Sequence, residues 1–387
     1  MKAAFLFTGQ GCQHYGMYEY LIEKFPEAKD TFEEMSEVLG YDLVGEYKEK
    51  KETFFEDNEK SQIMMLAYEV AAYRAFTEKY EVEPFVMAGH SLGEIIAMTC
   101  AGGFSLEQAV HVIQMRGRAM DRCGRNKGTM LAVFDMSLPE LEQLCRIVSV
   151  GDSYVTVSNI NSESQIVVSG NESGIAKIKG ILDNMKVKSV RLNVIIPFHS
   201  KILKEAAEAL KKNLEGYGPV ALKVPVVSNI DAGMYTEQKD PSTYLSEHII
   251  HSVSWKQTVS FLVEEGANLF VEFGPKAVLT RMLKTDHKDV TAFSLSKEKD
   301  IITLEEDIRA ERLALIDSII SRVVTTSNNV ENDELYREHV IEPYVGLQKK
   351  REELKNEKRV ISIDELSKIS EIADRIIDYK TMGKQRA

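Results

Sequence analysis

A serine placed between two glycines is the first residue of this sequence whose type and spacing could do chemistry. Ser91 lies in the segment AGHSLGE, which contains the pattern G-x-S-x-G. In this pattern the serine occupies a tight turn between a strand and a helix, and the glycines let the chain turn without a Cβ clash. The hydroxyl is then exposed, and the amides that follow it lie at a helix N-terminus, where they favour a developing oxyanion. The segment therefore predicts a nucleophile, with a structural turn serine as the alternative.

A serine nucleophile needs a base that a third group orients, so the eight histidines are the next candidates. His199, in the segment IIPFHSKIL, stands out because it lies where one subdomain ends and a helix begins. A cap or loop role is its alternative. His90 is expected to support the serine turn by a hydrogen bond. Five histidines have no second functional cue and are expected to be surface or packing residues: His14, His111, His251, His287 and His339.

The elements that would position these residues alternate between strand and helix. A short apolar strand, AAFLF, leads into the glycine turn TGQG, and helical spacing of apolar residues follows over about 17–39 and 60–80. The apolar run before Ser91 and the helix after it, to about residue 120, continue the alternation. This order favours an α/β fold in which a mainly parallel sheet is covered by helices, with a hydrolase-like core.

The pattern changes between residues 127 and 195. Strand-like and helical segments follow one another there in the order β-α-β-β-α-β, which is the ferredoxin-like pattern. We interpret this stretch as a small subdomain inserted into the large α/β domain, which would comprise residues 1–126 and 196–299.

Residues 300–387 form a strongly charged helical extension. Its periodicity predicts three amphipathic helices, with a break at 327–329. Such helices could form a bundle of their own, dock a partner, or wrap around the main domain. The helical wrap is the expectation we favour from the sequence.

Composition restricts the classes of function. The formal net charge of −12 argues against general nucleic-acid binding, which needs a basic surface. No apolar run has the length of a membrane span, and the first residues lack the features of a signal peptide, so a cytoplasmic protein without membrane partners is expected. The four cysteines lack C-x-x-C spacing, so neither a metal site nor a disulfide framework is predicted.

Several segments together resemble one enzyme family, the malonyl-CoA:acyl carrier protein transacylases, which include the acyltransferases of polyketide synthesis. The resemblance covers about residues 3–296. It argues against an ordinary α/β-hydrolase, in which an acidic triad member would precede a late histidine. The segments that carry it, in order, are FTGQGCQHYGM, AGHSLGE, QMRGRAM, NINSESQIVVSG, IIPFHS, PVVSNID, SVSW and VEFGPKAVL.

The resemblance implies a catalytic dyad. Ser91 matches the nucleophile that takes the acyl group as an ester, and His199 matches its general base. The other ring nitrogen of that base is held by a backbone carbonyl, which here belongs to His248. Family members commonly have glutamine at this place, so the sequence departs from the pattern, and a second imidazole nearby could alter the pKa of the base. The oxyanion hole of the family corresponds to the backbone amides of Gln10 and Leu92.

The resemblance also implies a substrate. Arg116 matches the arginine that pairs with the free carboxylate of malonyl, a role for which a planar guanidinium is suited. Arg118 faces elsewhere on the same helix and is not expected to be equivalent. Phe198 matches a residue that crowds the α-carbon pocket, which favours malonyl over methylmalonyl. Three amide side chains are expected to have supporting or structural roles only: Gln62, Asn161 and Asn229.

The function implied is ping-pong transfer of malonyl from malonyl-CoA to the phosphopantetheine thiol of an acyl carrier protein, with no bound cofactor. Action in trans for a polyketide or hybrid peptide-polyketide assembly line is favoured over fatty acid synthesis. An acyl hydrolase of the same fold is the enzymatic alternative, although it would not need Arg116. A non-catalytic docking subunit is the alternative from another class.

Overall fold

The computed structural model divides the chain into two compact units. The first contains residues up to 76 and residues 83–297, and the second contains residues 77–82 and those from 298 onward. The residues that the structure describes are 2–215, 217, 221–236 and 239–382.

The strands of the first unit are β1 (Ala3–Phe7), β2 (Pro84–Gly89), β3 (Thr129–Phe134), β4 (Val155–Ser162), β5 (Gln165–Gly170), β6 (Ser189–Arg191), β7 (Val226–Val227), β8 (Leu269–Glu272) and β9 (Thr291–Ser294). The helices before residue 125 are α1 (Met17–Lys24), α2 (Ala28–Leu39), α3 (Leu43–Lys50), α4 (Asn58–Tyr80), α5 (Leu92–Cys100) and α6 (Leu106–Gly124). Those that follow, up to residue 286, are α7 (Leu138–Val148), α8 (Glu172–Asn184), α9 (Lys204–Leu214), α10 (Pro241–Glu247), α11 (Trp255–Glu264) and α12 (Leu279–Asp286).

The larger sheet is parallel, with the strand order β7-β2-β1-β8-β9. Its central strand β1 is apolar throughout because both of its faces are buried. Ala4 and Leu6 belong to a core that includes Trp255 of α11. Phe5 and Phe7 point to the opposite face, where both rings pack against Phe273. The predicted α/β class with a helix-covered parallel sheet is confirmed.

The carboxyl ends of β1 and β2 lie side by side. Phe7, the last residue of β1, is in register with Gly89, the last residue of β2. The turn after β1 and the turn that carries Ser91 therefore leave the sheet at the same edge. In α/β folds this edge is where ligands usually bind.

The smaller sheet is antiparallel, with the strand order β4-β5-β3-β6. This is the ferredoxin-like order that the β-α-β-β-α-β pattern predicted. Its strands and the helices α7 and α8 enclose a separate apolar core, which includes Leu131, Leu141, Val168, Ile178 and Leu182.

The second unit is helical and has its own core. Its helices are α13 (Glu298–Thr325), α14 (Asp333–Tyr336), α15 (Glu342–Asn356) and α16 (Ile363–Met382), and a π-helical turn covers Arg337–Ile341. The apolar faces of α13, α15 and α16 meet in one cluster, to which Ile316, Leu347, Leu354, Ile369 and Ile376 belong. Of the three arrangements considered from the sequence, the packing within this unit is that of a bundle.

Residues 77–82 belong to the second unit although in sequence they lie between the two segments of the first. Arg312 of α13 donates hydrogen bonds to the carbonyls of Tyr80 and Glu81, and Tyr80 Oη donates to Glu305 at 2.6 Å. These polar contacts do not follow a periodic pattern, so the sequence did not indicate them. In the described part of the chain, no helix combines the length and the apolar character needed to cross a membrane.

Candidate active site

Ser91 occupies a strained turn between β2 and α5. Its backbone has φ 57° and ψ −110°, a conformation that non-glycine residues rarely adopt. Asn229 holds this conformation: its Oδ1 accepts the Ser91 N–H at 2.7 Å, and its Nδ2 donates to the carbonyl of Gly89 at 2.6 Å. A residue in such a conformation persists only where its surroundings impose it, and such residues cluster at functional sites.

The turn after β1 touches the Ser91 turn directly. The N–H of His90 donates to the carbonyl of Phe7 at 2.9 Å. A Cβ on Gly9 would lie 2.5 Å from the His90 oxygen, and a Cβ on Gly93 would lie 2.2 Å from the Phe7 oxygen. Only glycine permits so close an approach of the two backbones, so the contact between the turns explains why each of them contains a glycine.

The amides predicted to form an oxyanion hole follow these contacts in the chain. Gln10 comes one residue after Gly9, and Leu92 is the first residue of α5. In the first turn of α5 the N–H groups of Gly93 and Glu94 donate to the carbonyls of His90 and Ser91. The Leu92 N–H, one position earlier, has no carbonyl acceptor within the helix. The helix dipole adds a partial positive charge at the same point.

His199 lies next to the nucleophile. Its Nε2 is 2.7 Å from Ser91 Oγ, and its Nδ1 is 2.8 Å from the carbonyl oxygen of His248. A carbonyl can only accept, so Nδ1 carries the ring proton, and Nε2 accepts the Ser91 hydroxyl proton. The family resemblance placed these three residues together, and the structure brings them within hydrogen-bonding distance.

The electrostatic surroundings keep His199 neutral. The side chain is 2% exposed. Burial and the nearby Arg116 guanidinium lower its pKa to about 3, while the hydrogen bond to the His248 carbonyl acts in the opposite direction. A neutral imidazole with a free Nε2 lone pair is the form that can accept a proton from a hydroxyl.

Arg116 projects from α6 towards Ser91 and is 3% exposed. Its Nη2 donates to Ser91 Oγ at 3.3 Å, and its Nη1 donates to Gln62 Oε1 at 2.7 Å. Burial lowers the pKa of Arg116 to about 10, and the charge of Glu94 opposes this shift. The guanidinium therefore remains protonated at neutral pH and brings a buried positive charge to the serine.

A cluster of side-chain amides fixes Gln62 behind Arg116. Gln62 Nε2 donates to Asn58 Oδ1 at 3.2 Å, and Gln10 Nε2 donates to the same oxygen at 3.0 Å. Asn58 Nδ2 in turn donates to the carbonyl of Gly117, next to Arg116 in α6, at 3.2 Å. The sequence did not single out Asn58, because an asparagine at the start of a helix is a common capping residue.

The other residues considered from the sequence make different contacts. Phe198, which precedes His199 in the chain, is half-buried and packs against a cluster of Met130, Ala132 and Val167. His90 Nε2 is 2.9 Å from Asn161 Oδ1, which links the serine turn to the smaller sheet. Arg118 instead pairs with Glu59 on the surface, through hydrogen bonds of 2.6 and 2.8 Å.

Glu94 was not predicted from the sequence to belong to the site. Its side chain is wholly buried beneath the Ser91 turn, and burial raises its pKa to about 7. An acidic residue in the first turn of a helix usually interacts with the helix dipole near solvent, so its type and position gave no signal of burial.

Comparison with known proteins identifies the family of this chain. The acyl transferase domain family matches residues 4–314. A malonyl CoA-acyl carrier protein transacylase of Bacillus subtilis is 32% identical over 317 residues, which cover 80% of this chain and 98% of the relative. The polyketide biosynthesis malonyl CoA-acyl carrier protein transacylase BaeC of Bacillus velezensis is 30% identical, over 72% of this chain and 94% of the relative.

Solved structures show the same likeness. A malonyl-transacylase in complex with its type II PKS acyl-carrier protein superposes with a TM-score of 0.74 at 31% identity, covering 78% of this chain and 98% of that one. The malonyl-CoA:acyl carrier protein transacylase of Xanthomonas oryzae superposes with the same TM-score and identity, over 78% of this chain and 97% of its own. The chain therefore belongs to the acyl transferase domain family and, within it, to the malonyl-CoA:acyl carrier protein transacylases.

Proposed function

We propose that this enzyme transfers malonyl from malonyl-CoA to the phosphopantetheine thiol of an acyl carrier protein through an ester on Ser91. One observation carries the proposal. Ser91 Oγ is 2.7 Å from the unprotonated Nε2 of His199 and 3.3 Å from the buried guanidinium of Arg116. A nucleophile, a base and a fixed positive charge thus meet at one atom, which is what transfer of an acyl group that carries a carboxylate requires.

In the first half-reaction the Ser91 oxygen attacks the thioester carbonyl of malonyl-CoA. His199 Nε2 takes the hydroxyl proton as the new carbon–oxygen bond forms. The carbonyl electrons move onto oxygen, and the amides of Gln10 and Leu92 stabilise that charge. When the carbon–sulfur bond breaks, the leaving sulfur takes the proton from His199, and CoA departs as a thiol.

The second half-reaction repeats these steps with a different nucleophile. The carrier thiol gives its proton to His199 Nε2 and attacks the malonyl ester. Collapse of the tetrahedral intermediate breaks the bond to Ser91, which recovers a proton from His199. The product is malonyl carrier protein, and the free enzyme is regenerated.

Arg116 would distinguish malonyl from uncharged acyl groups. Its position next to Ser91 allows the guanidinium to exchange its hydrogen bond with the serine for one with the malonyl carboxylate. Gln62 would keep the guanidinium oriented during this exchange. Phe198 would narrow the space at the α-carbon, so that malonyl is preferred over methylmalonyl by about 1–3 kcal/mol.

We also propose that the enzyme acts in trans for a polyketide or hybrid peptide-polyketide assembly line. Two likenesses support a role in polyketide synthesis: one relative is named as a polyketide biosynthesis enzyme, and one solved neighbour is a complex with a type II PKS carrier. The Phe198-His199 pair, which resembles polyketide acyltransferases, supports the same choice.

Competition between purified carriers would test the pathway. The enzyme would be given malonyl-CoA and equal amounts of a phosphopantetheinylated polyketide carrier and a fatty acid synthesis carrier from the same organism. We expect a kcat/KM at least tenfold higher for the polyketide carrier. A preference for the fatty acid carrier would overturn the pathway assignment. Release of free malonate at the rate of thioester consumption would instead indicate a hydrolase.

A further inference from the structure

Three polar groups from the chain after β7 converge on the buried carboxylate of Glu94. Tyr235 Oη donates to Oε1 at 2.5 Å, and the backbone N–H of Asn229 donates to Oε2 at 3.1 Å. Nδ1 of His248 lies 3.4 Å from the same Oε2. Glu94 itself follows Ser91 by three residues. A buried carboxylate is costly unless such partners satisfy it, so these contacts tie Glu94 to the segment that follows β7.

One of these contacts leads to the nucleophile. Glu94 holds the backbone of Asn229, and the side chain of Asn229 holds the turn through the Ser91 N–H and the Gly89 carbonyl. The positive φ of Ser91 therefore depends on an asparagine whose own position depends on Glu94.

A second contact leads to the base. The carbonyl of His248 accepts the Nδ1 proton of His199, while the side chain of His248 turns towards Glu94. Within the described part of the chain, Nε2 of His248 is buried without a hydrogen-bond partner. Nδ1 is therefore the nitrogen of this ring that faces a polar group, the Glu94 carboxylate at 3.4 Å, and this places Glu94 beside the residue whose carbonyl orients His199.

We propose that Glu94 is a positioning residue that sets the distance between Ser91 and His199. The two residues are 108 positions apart in sequence and lie on different elements, so no local structure holds them together. Glu94 contacts Asn229, which holds the Ser91 turn, and His248, whose carbonyl holds His199. One carboxylate therefore positions both the nucleophile and the base. This inference rests on the proposed roles of Ser91 and His199.

Two variants, each of which replaces one buried glutamate by the shorter aspartate, test the inference. Glu272 is also buried, and its carboxylate accepts hydrogen bonds of 2.7–2.9 Å from the backbone N–H groups of Val278, Leu279 and Thr280. Glu94→Asp and Glu272→Asp each withdraw a buried carboxylate by one methylene. Rapid-quench kinetics would give kcat and KM for malonylation of Ser91. Thermal melting would show how much of each variant is folded, and kcat would be expressed per mole of folded protein.

We expect Glu94→Asp to lower the malonylation kcat at least tenfold and to change the KM for malonyl-CoA less than about threefold, because Arg116 keeps its contact with Gln62. Glu272→Asp should lower the melting temperature but leave kcat unchanged. Glu94→Gln, which keeps the length and an acceptor oxygen, should restore kcat to within about threefold of the original enzyme.

Three results would overturn the inference: an unchanged kcat in Glu94→Asp, an equal loss of kcat in Glu272→Asp, or a loss in Glu94→Gln as large as in Glu94→Asp. Should Glu94→Asp not fold, Tyr235→Phe decides. It removes one partner of the carboxylate, so a two- to fivefold lower kcat supports the inference and an unchanged kcat refutes it. If the unmodified enzyme forms no ester on Ser91, the proposed function fails instead.

Discussion

At the scale of single residues, Arg116 acts on the site in two ways. In the proposed mechanism its guanidinium binds the carboxylate of the substrate, and its charge helps to lower the pKa of His199. Both effects depend on burial, because a solvated charge would be screened and would bind the carboxylate weakly.

Arg116→Ala should therefore lower kcat/KM for malonyl-CoA by roughly a hundredfold or more, since a buried carboxylate left without its charged partner costs about 3 kcal/mol. Transfer of acetyl from acetyl-CoA should be unchanged or faster. The matched control is Arg118→Ala, which removes an exposed arginine of the same helix that pairs with Glu59. Initial rates with both thioesters would measure the effect, and an equal loss for malonyl and acetyl would show that Arg116 is structural.

The pH dependence of acylation should reflect the low pKa of His199. An ordinary histidine protonates below about pH 6.5, whereas His199, with a pKa of about 3, remains a base well below that. We expect no His199-dependent fall in kcat/KM between pH 8 and pH 5. The stability that the neutral ring contributes is complete above about pH 6.5 and is lost as the pH falls towards 3, because the unfolded chain takes up the proton first.

Stopped-flow measurement of CoA release across this range would test the expectation. The profile would also be measured with Glu94→Gln, because the Glu94 carboxyl has a pKa of about 7 and would otherwise titrate in the same range. A rate that falls by half near pH 6.5 in that variant would contradict the account.

Sequence and structure agree best on residues that a family pattern marks. Ser91, His199 and Arg116 stand in recognisable segments, and the structure brings their side chains together. Glu94 and Asn58 could not be predicted, because their partners come from distant segments and a carboxylate or an amide at a helix start is common on protein surfaces.

At the scale of elements, two tight turns at the edge of the parallel sheet form the site. Strand register brings the ends of β1 and β2 together, and Gly9 and Gly93 allow the backbones to touch. The alternation of apolar strands and amphipathic helices was enough to predict both the parallel sheet and the ferredoxin-like sheet. The close contact of the turns was not readable from periodicity, because it depends on backbone atoms and not on side-chain pattern.

Gly9→Ala should displace the turn that carries Gln10, since the new methyl would lie 2.5 Å from the His90 oxygen. We expect the kcat of Ser91 malonylation to fall at least tenfold in protein that is still folded. Gly180→Ala is the control: its methyl in α8 would meet no atom within 4 Å, and it should stabilise the helix by about 0.5–1 kcal/mol. An unchanged kcat in Gly9→Ala would mean that this turn does not shape the site.

At the scale of the whole molecule, the chain consists of two units with separate cores. The relatives named above cover about three quarters of it, and the family match ends at residue 314, within α13. The sequence predicted charged helices beyond residue 300. It did not predict that residues 77–82 join them, because the contacts of Arg312 with two carbonyls leave no pattern in the sequence.

Leu354→Ala should destabilise the second unit. The side chain is fully buried in the core shared by α13, α15 and α16, so its truncation should cost about 2–5 kcal/mol of unfolding free energy. Ser91 malonylation should continue at an unchanged rate while the protein is folded, because the residues assigned to the site lie in the first unit. Denaturant titration and a single-turnover assay would measure the two effects, and a slower assay with intact folding would show that the second unit contributes to chemistry.

The most direct test of the central claim is intact-mass spectrometry of the enzyme after brief mixing with malonyl-CoA. We predict the added mass of one malonyl group, located on Ser91 by peptide mapping, that disappears when phosphopantetheinylated carrier protein is added. Ser91→Ala should gain no mass and transfer nothing. Transfer by Ser91→Ala at the original rate, or an adduct on another residue, would contradict the proposed mechanism.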